Sequence, residues 1–257
     1  ATAALGRVLS AAVMLAATIK EGERISLRVE GDGPVEGLFA QAWPNGRVRG
    51  YLRNPRVNPP SRGNKLDVGR AVGRHGELVV IRDLGMREPY VGRVPLQSGE
   101  IGDDLAYYFA VSEQQPAAVG LGVLVETDNA VAAAGGYLIQ PLPGADPEIV
   151  DRLEATIRAA PPPSELIITR REPEKLLDVL LAGMDWQLLE EVTPRFSCGC
   201  TRAKSRRALR ALAVNELREL VAHHEPVTVS CDFCGKGYRF ETADIQALLA
   251  AKEQEAT

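Results

Sequence analysis

The chain has 257 residues, of which 45% are hydrophobic and 25% are charged, a composition ordinary for a globular protein. This length allows one large domain or two to three small ones. The formal net charge of −4 argues against a general binder of nucleic acid, so such a role would need a local basic patch.

An apolar, alanine-rich stretch occupies residues 8–19. Lys20, Glu21 and Glu23 end it early, and it is too short to span a bilayer. We therefore predict a buried helix over residues 3–20 rather than a signal peptide, and we expect no membrane partner.

The rest of the first section, residues 1–145, mixes strand and helix signals. We predict β-strands, separated by glycine turns, at residues 24–30, 47–52, 78–84 and 90–96. Asp103 or Asp104 is expected to cap a helix that runs to about Ser112. Two apolar arms around Thr127-Asp128-Asn129 predict a β-hairpin. Without a regular βαβ order, these elements predict an α+β fold.

The second section, residues 146–195, reads as a helical linker that is unusually apolar. Asp146-Pro147 is typical of a helix start, and Pro161-Pro162-Pro163 should stop that helix and form a stiff hinge. Pro173 is placed to begin a second helix and Gly183 to end it. Large apolar residues recur here: Leu166, Ile167, Ile168, Leu176, Leu177, Leu180 and Trp186. They should pack on the first section or bind a partner, and reversible docking would allow both.

The third section, residues 196–257, contains all four cysteines, and the first 197 residues of the chain contain none. We predict one helix over residues 203–222, a β-rich run over 227–240 and a helix over 242–251. Clustered cysteines indicate metal or redox chemistry rather than a secreted disulfide scaffold. We therefore expect a cytoplasmic protein.

The cysteines form two close pairs, Cys198 with Cys200 and Cys231 with Cys234, and thirty residues separate the pairs. Two such pairs from separate segments can supply the four thiolates of a tetrahedral zinc site. We predict one zinc ion bound by all four, although free core thiols and a purely structural zinc remain alternatives. A segment of about sixty residues with few aromatic side chains is marginal without a metal, so losing the zinc should unfold it.

A run of basic residues follows the first cysteine pair and bears on the ionisation of the thiols. They are Arg202, Lys204, Arg206, Arg207 and Arg210. Nearby cations favour the ionised, metal-binding form of a thiol, but the same residues also fit a solvated helix face.

The chain resembles the redox-regulated thirty-three-kilodalton heat-shock chaperones of bacteria and organelles. The segments that carry the resemblance most strongly are Phe196-Ser197-Cys198-Gly199-Cys200 and Val229-Ser230-Cys231-Asp232-Phe233-Cys234-Gly235, with Tyr238 and Phe240. Further similar stretches are Glu30-Gly31-Asp32-Gly33-Pro34, Val48-Arg49-Gly50-Tyr51, Lys65-Leu66-Asp67-Val68-Gly69, Ser98-Gly99-Glu100-Ile101-Gly102, Asp104-Leu105-Ala106-Tyr107-Tyr108-Phe109 and Gly135-Gly136-Tyr137-Leu138-Ile139-Gln140.

The resemblance implies an ATP-independent holdase that is idle while its four cysteines hold zinc. Oxidants would form the disulfides Cys198 with Cys200 and Cys231 with Cys234, with loss of the zinc. The zinc segment and the linker would then unfold, and a homodimer would hold unfolding client proteins. Members of the family begin with a strand and a helix before the position of Ala1, so we expect either that the first sheet lacks that strand or that the segment has been cut off.

Two other functions are compatible with the cysteines. A thiol–disulfide oxidoreductase would use Cys231 and Cys234, but such enzymes place the attacking cysteine at a helix start, whereas a β-like run follows here. A zinc-ribbon module for nucleic acid or a protein partner is opposed by the acidic net charge. Gly120-Leu121-Gly122 is only a weak phosphate-loop signal, and no convincing nucleophile–base pair is present, so we expect no enzyme activity.

Overall fold

The computed structural model describes residues 1–60, 66–170 and 172–255 and has the predicted α+β fold. Lys65, part of one family-like stretch, lies outside these residues. The chain divides into two compact units, Ala1–Phe196 and Ser197–Thr257. The finer division into 1–145, 146–195 and 196–257 stays a prediction.

Six strands of the first unit form one sheet and two more form a hairpin. Their bounds are β1 Arg24–Gly31, β2 Leu38–Ala42, β3 Arg47–Leu52, β4 Gly76–Asp83, β5 Tyr90–Pro95, β6 Ala118–Val125, β7 Val131–Ile139 and β8 Arg195–Phe196. The sheet order is β5-β4-β1-β2-β3-β8, and β6 pairs with β7. All pairs are antiparallel except the two-residue parallel pairing of β8 with β3. The four strands predicted for residues 24–96 and the hairpin are confirmed, while β2 was not predicted.

The apolar stretch at the amino terminus forms helix α1, Thr2–Ala16, as predicted. Val8, Ala11 and Leu15 are fully buried in it. The helix packs against the six-stranded sheet and against the β6–β7 hairpin, so it fills the core between them. Among the described residues, no helix is both long and apolar enough to cross a membrane.

Two shorter helices complete this core: α2, Val68–Val72, which was not predicted, and α3, Gly102–Val111. The predicted cap of α3 is wrong, because its N-cap is Ile101 and makes no side-chain capping bond. Asp104 instead lies in the first turn, wholly buried, and accepts hydrogen bonds from the backbone N–H groups of Gln97 (2.7 Å) and Ser98 (3.0 Å). The loop before the helix folds back over its start, so the carboxylate serves that loop.

Three helices occupy the linker: α4 Pro147–Ala159, α5 Pro163–Thr169 and α6 Pro173–Leu180. Asp146 caps α4 as predicted, and its side chain accepts from the N–H of Glu148 at 2.9 Å. Helix α5 was missed: the three prolines do end α4, but Pro163 also occupies the first turn of α5. Proline suits the first turn of a helix because a backbone N–H there would have no intrahelical acceptor, so its absence costs no hydrogen bond.

The second unit contains α7 Arg202–Ala211, α8 Val214–Ala222, β9 Val227–Ser230, β10 Gly237–Phe240 and α9 Thr242–Glu255. The single helix predicted over residues 203–222 is wrong, because the backbone becomes extended at Leu212. Glu216 accepts from the N–H of Ala213 at 2.6 Å and Lys252 of α9 donates to the carbonyl of Leu212, so side chains satisfy the backbone groups at this break.

Candidate metal centre

The four cysteine sulfurs meet at one point of the second unit. Their Sγ atoms all lie within 4.8 Å of one another, and this is the one such cluster of potential ligand side chains within the described residues. Cys198 Sγ is 3.6 Å from Cys231 Sγ, and Cys200 Sγ is 3.5 Å from Cys234 Sγ. A tetrahedral site with Zn–S bonds of about 2.3 Å has sulfur–sulfur edges of about 3.8 Å, whereas a disulfide is about 2.05 Å long. The sulfurs are therefore spaced to share a cation.

The second pair lies in the tight turn between β9 and β10, within the β-rich run predicted for residues 227–240. The N–H of Cys231 donates to the carbonyl of Lys236 (3.0 Å), and the N–H of Gly235 donates to the carbonyl of Cys231 (2.8 Å). Gly235 has φ of +70°, a conformation that costs glycine little. The β-hairpin therefore presents both sulfurs at its tip.

The first pair lies in the loop that leads into α7. Thr201 caps that helix by accepting from the N–H of Lys204 (3.2 Å), and the Lys204 ammonium donates to the carbonyl of Gly199. Because Gly199 lies between the two cysteines, these two contacts hold the loop against the first turn of α7. This arrangement brings the C-x-C pair to the hairpin tip.

The predicted cations have separate positions. The Arg202 guanidinium lies over the Phe240 ring, 4.3 Å from its centroid, and pairs with Asp244 at 2.8 Å. It therefore joins the start of α7 to β10 and α9. Arg206, Arg207 and Arg210 are exposed, as expected of a solvated helix face.

Hydrogen bonding and burial shift the pKa values of Cys198, Cys200 and Cys234 in different directions. The Tyr238 hydroxyl donates to Cys200 Sγ at 3.2 Å and lowers the pKa of Cys200 to about 7. The Lys236 N–H lowers the pKa of Cys234, but hydrogen bonding with the other cysteines, Cys200 foremost, and burial together outweigh it and raise that pKa to about 12. Burial raises the pKa of Cys198. Four neighbouring thiolates therefore need a cation to coexist, and an all-thiolate set at this spacing fits zinc.

The packing beneath the centre is small. Its buried apolar residues are Leu209, Leu217, Phe240, Ile245 and Leu248. A unit of this size with so few buried side chains depends on an added cross-link for stability. The sulfur cluster is placed to provide one, because it joins the loop before α7 to the β9–β10 hairpin.

The linker residues predicted to bind clients occupy different environments. Leu166, Leu176 and Leu180 form a buried cluster with partly buried neighbours that include Ile167 and Tyr137; we call this the linker cluster. Ile168, Leu177 and Trp186 are half-buried, and the Trp186 indole N–H donates to Asp178 at 3.2 Å. Of the seven predicted residues, three are thus buried and four are half-buried.

Sequence reasoning missed an exposed apolar run just before the first cysteine. Leu188 is 53% exposed, Leu189 85% and Phe196 61%. A single exposed leucine is ordinary, but three large exposed apolar side chains in one short segment mark a candidate interaction surface. The sequence did contain a signal for this exposure. Two adjacent leucines precede two glutamates in a segment with no helical or strand periodicity, so the pattern offers no apolar face that a helix or strand would bury.

Comparison with known proteins gives one consistent result. The family model described as Hsp33 protein matches residues 1–241. Proteins named 33 kDa chaperonin are similar to the chain: that of Clostridium tetani is 43% identical over 96% of this chain and 85% of its own length, and that of Geobacter sulfurreducens is 44% identical over 96% and 82%. The crystal structure of the 33 kDa chaperonin of Thermotoga maritima, 38% identical, superposes with a TM-score of 0.88 over 98% of this chain and 86% of that one.

Proposed function

The chain belongs to the Hsp33 protein family, and on that basis we propose that it is a redox-regulated, ATP-independent holdase chaperone. The observation that carries the redox part is the meeting of all four cysteine sulfurs within 4.8 Å in a unit with a small apolar core. The proposed clients are unfolded or unfolding proteins, bound by a homodimer in the cytoplasm. We propose no enzyme activity and no nucleic-acid or membrane partner.

In the reduced state, Cys198, Cys200, Cys231 and Cys234 would hold one zinc ion. The bound ion supplies a cross-link between two chain segments and contributes on the order of 10–16 kcal/mol to folding. Tyr238 supports the centre by donating to Cys200 Sγ, a contact that orients this ligand.

Activation is the oxidation of two thiol pairs. For each pair, two thiolates and one proton react with hypochlorous acid to give a disulfide, chloride and water, so two electrons pass from sulfur to the oxidant. Disulfide sulfurs are poor metal ligands, because the thiolate is the form that binds metal. Without the cross-link, the small apolar core is too weak to hold the unit folded, and the unit unfolds.

The proposed pairs are Cys198 with Cys200 and Cys231 with Cys234. Each closes a very short loop and restrains little of the unfolded chain, so the unit stays free to unfold. Two sulfur contacts, of 3.6 and 3.5 Å, run between the pairs instead, and a disulfide there would join the loop to the hairpin and oppose unfolding. Peptide mapping of the oxidised protein therefore tests the pairing directly, and bonds between the pairs would contradict the switch.

The proposed output is the linker. Its buried leucines belong to helices too short to be stable alone, and we propose that unfolding of the unit that follows them in the chain is transmitted to these helices and releases them. The exposed run that contains Leu188 and Leu189 would then extend the client-binding surface. Zinc thus controls how much apolar surface the chain offers.

The test measures zinc release and suppression of client aggregation on one sample, before and after hypochlorite. We expect one zinc per reduced chain, its release on oxidation, and activity only afterwards. Cys231→Ser should lose tight zinc binding, while Ser230→Ala, a change at the neighbouring exposed position, should behave as wild type. Metal release without holdase activity would refute the proposal. Insulin reduction and a gel shift at physiological salt test the oxidoreductase and nucleic-acid alternatives.

A further inference from the structure

Gly120-Leu121-Gly122 lies in the middle of β6, where alternate side chains face opposite sides of the hairpin. Leu121 faces the core around α1 and is 8% exposed. The two glycines face the other side, towards α5 and the Tyr137 ring. A phosphate-binding loop would open a helix, so this mid-strand position removes that interpretation of the motif.

Helix α5 lies directly on the bare backbone of β6. A Cβ atom added at Gly122 would be 2.6 Å from both N and Cα of Ser164 and 2.8 Å from Ile167 Cδ1. One added at Gly120 would be 2.3 Å from an atom of the Tyr137 ring. Ordinary contacts of a Cβ atom are 3.4–4 Å long. Only glycine allows the helix and the ring to lie this close.

These glycines do not help the hairpin itself, since glycine weakens a strand by its flexibility and its lack of a side chain to pack. Their effect is to let the linker approach. Helix α5 has seven residues, too few for an isolated helix, so its fold depends on what it rests against. Its Leu166 also joins α6 through the linker cluster.

We propose that Gly120-Leu121-Gly122 is the docking seat of the linker and that the close approach at Gly122 sets how readily the linker is released. This inference rests on the proposed function and adds a positioning residue far along the chain from the cysteines. A side chain added at Gly122 should displace α5 and open the linker cluster, while the zinc centre stays intact. Release of the linker and loss of the metal then become separable events.

The hairpin offers a matched pair of variants, because Gly122 and Gly135 face each other in the β6–β7 register. Each alanine substitution adds one methyl group to the same face. At Gly135 the added carbon would lie 3.7 Å from side-chain atoms of Ile167, an ordinary contact. Gly122→Ala should therefore displace α5, whereas Gly135→Ala should not.

The experiment uses the full-length, reduced, zinc-loaded protein. For Gly122→Ala we expect one zinc per chain, hydrogen exchange in residues 163–180 at least tenfold faster than in wild type, and suppression of client aggregation without oxidant. Gly135→Ala should match wild type in all three. Unchanged exchange in Gly122→Ala would overturn the proposal, and so would equal effects of the two variants.

One control separates this inference from the proposed function, and one further variant serves if Gly122→Ala does not fold. Oxidised wild type in the same aggregation assay tests the holdase itself; if it is inactive, the proposed function fails, while the exchange data still decide whether Gly122 seats the linker. If Gly122→Ala does not fold, Gly120→Ala repeats the test more gently, because its methyl group meets the movable ring of Tyr137. Wild-type exchange in that variant would also refute the seat.

Discussion

Leu180 is the most sensitive point of the linker cluster. Its side chain is 0% exposed, and within the described part of the chain the buried members of its cluster are Leu166 and Leu176. Burying a leucine contributes about 1.5–3 kcal/mol, and Leu180→Ala removes most of that contribution at this position. With the cavity included, such a substitution costs about 2–5 kcal/mol. Helix α6 has eight residues and cannot compensate through its own stability.

The cost should appear as local opening of α6. At 1.4 kcal/mol for each factor of ten, hydrogen exchange of residues 173–180 should accelerate about 30-fold to several thousand-fold in the reduced protein. Leu177→Ala is the matched control, since it makes the same change on the same helix at a half-buried position. We expect about a fivefold effect there, from a loss of roughly 1 kcal/mol.

Two results would refute this reasoning. Equal acceleration in the Leu180 and Leu177 variants would mean that burial in the cluster does not hold the helix. Equal loss of protection in α1 would mean that the linker opens only when the whole first unit unfolds. The prediction requires a local event, because the linker cluster is separate from the core around α1.

Three further predictions concern single contacts. Tyr238→Phe removes the hydroxyl that donates to Cys200 and should lower zinc affinity about 10- to 100-fold in a chelator competition. Asp104→Ala leaves two backbone N–H groups unsatisfied and should destabilise the first unit by about 1–3 kcal/mol in urea unfolding, more than Asp103→Ala at an exposed position. Burial and a hydrogen bond to a carboxylate raise the pKa of Tyr108 above its ordinary 10.0. The tyrosine therefore ionises more easily in the unfolded chain, and the free energy of unfolding should fall as the pH rises above 10. Tyr108→Phe should remove this contribution to the slope of stability against pH.

Each of these has a contradicting outcome. Unchanged zinc affinity in the tyrosine variant would mean that the hydroxyl contact does not support the ligand. Equal unfolding midpoints for the two aspartate variants would mean that the buried carboxylate contributes nothing beyond its charge. Identical pH slopes between 9 and 11 for wild type and Tyr108→Phe would place the ionisation elsewhere.

Local signals in the sequence predicted the elements that neighbouring residues determine. Asp146-Pro147 begins a helix because a capping carboxylate and a fixed φ act within one turn. Elements that depend on distant partners were missed. Strand β2 has five residues and is defined by its pairing with β1 and β3, and α5 is held by the hairpin it rests on. The break between α7 and α8 is similar, since Lys252 from α9 satisfies a carbonyl there.

The cysteine spacing by itself predicted a metal site, because two close pairs of thiols can serve one ion in any fold that brings the pairs together. Only the tertiary structure decided how those sulfurs meet, which of them accepts the Tyr238 hydroxyl, and which linker leucines are buried. The role of Gly122 also appears only in the folded chain. A glycine looks the same in every strand sequence, and the helix that lies on it is more than forty residues away.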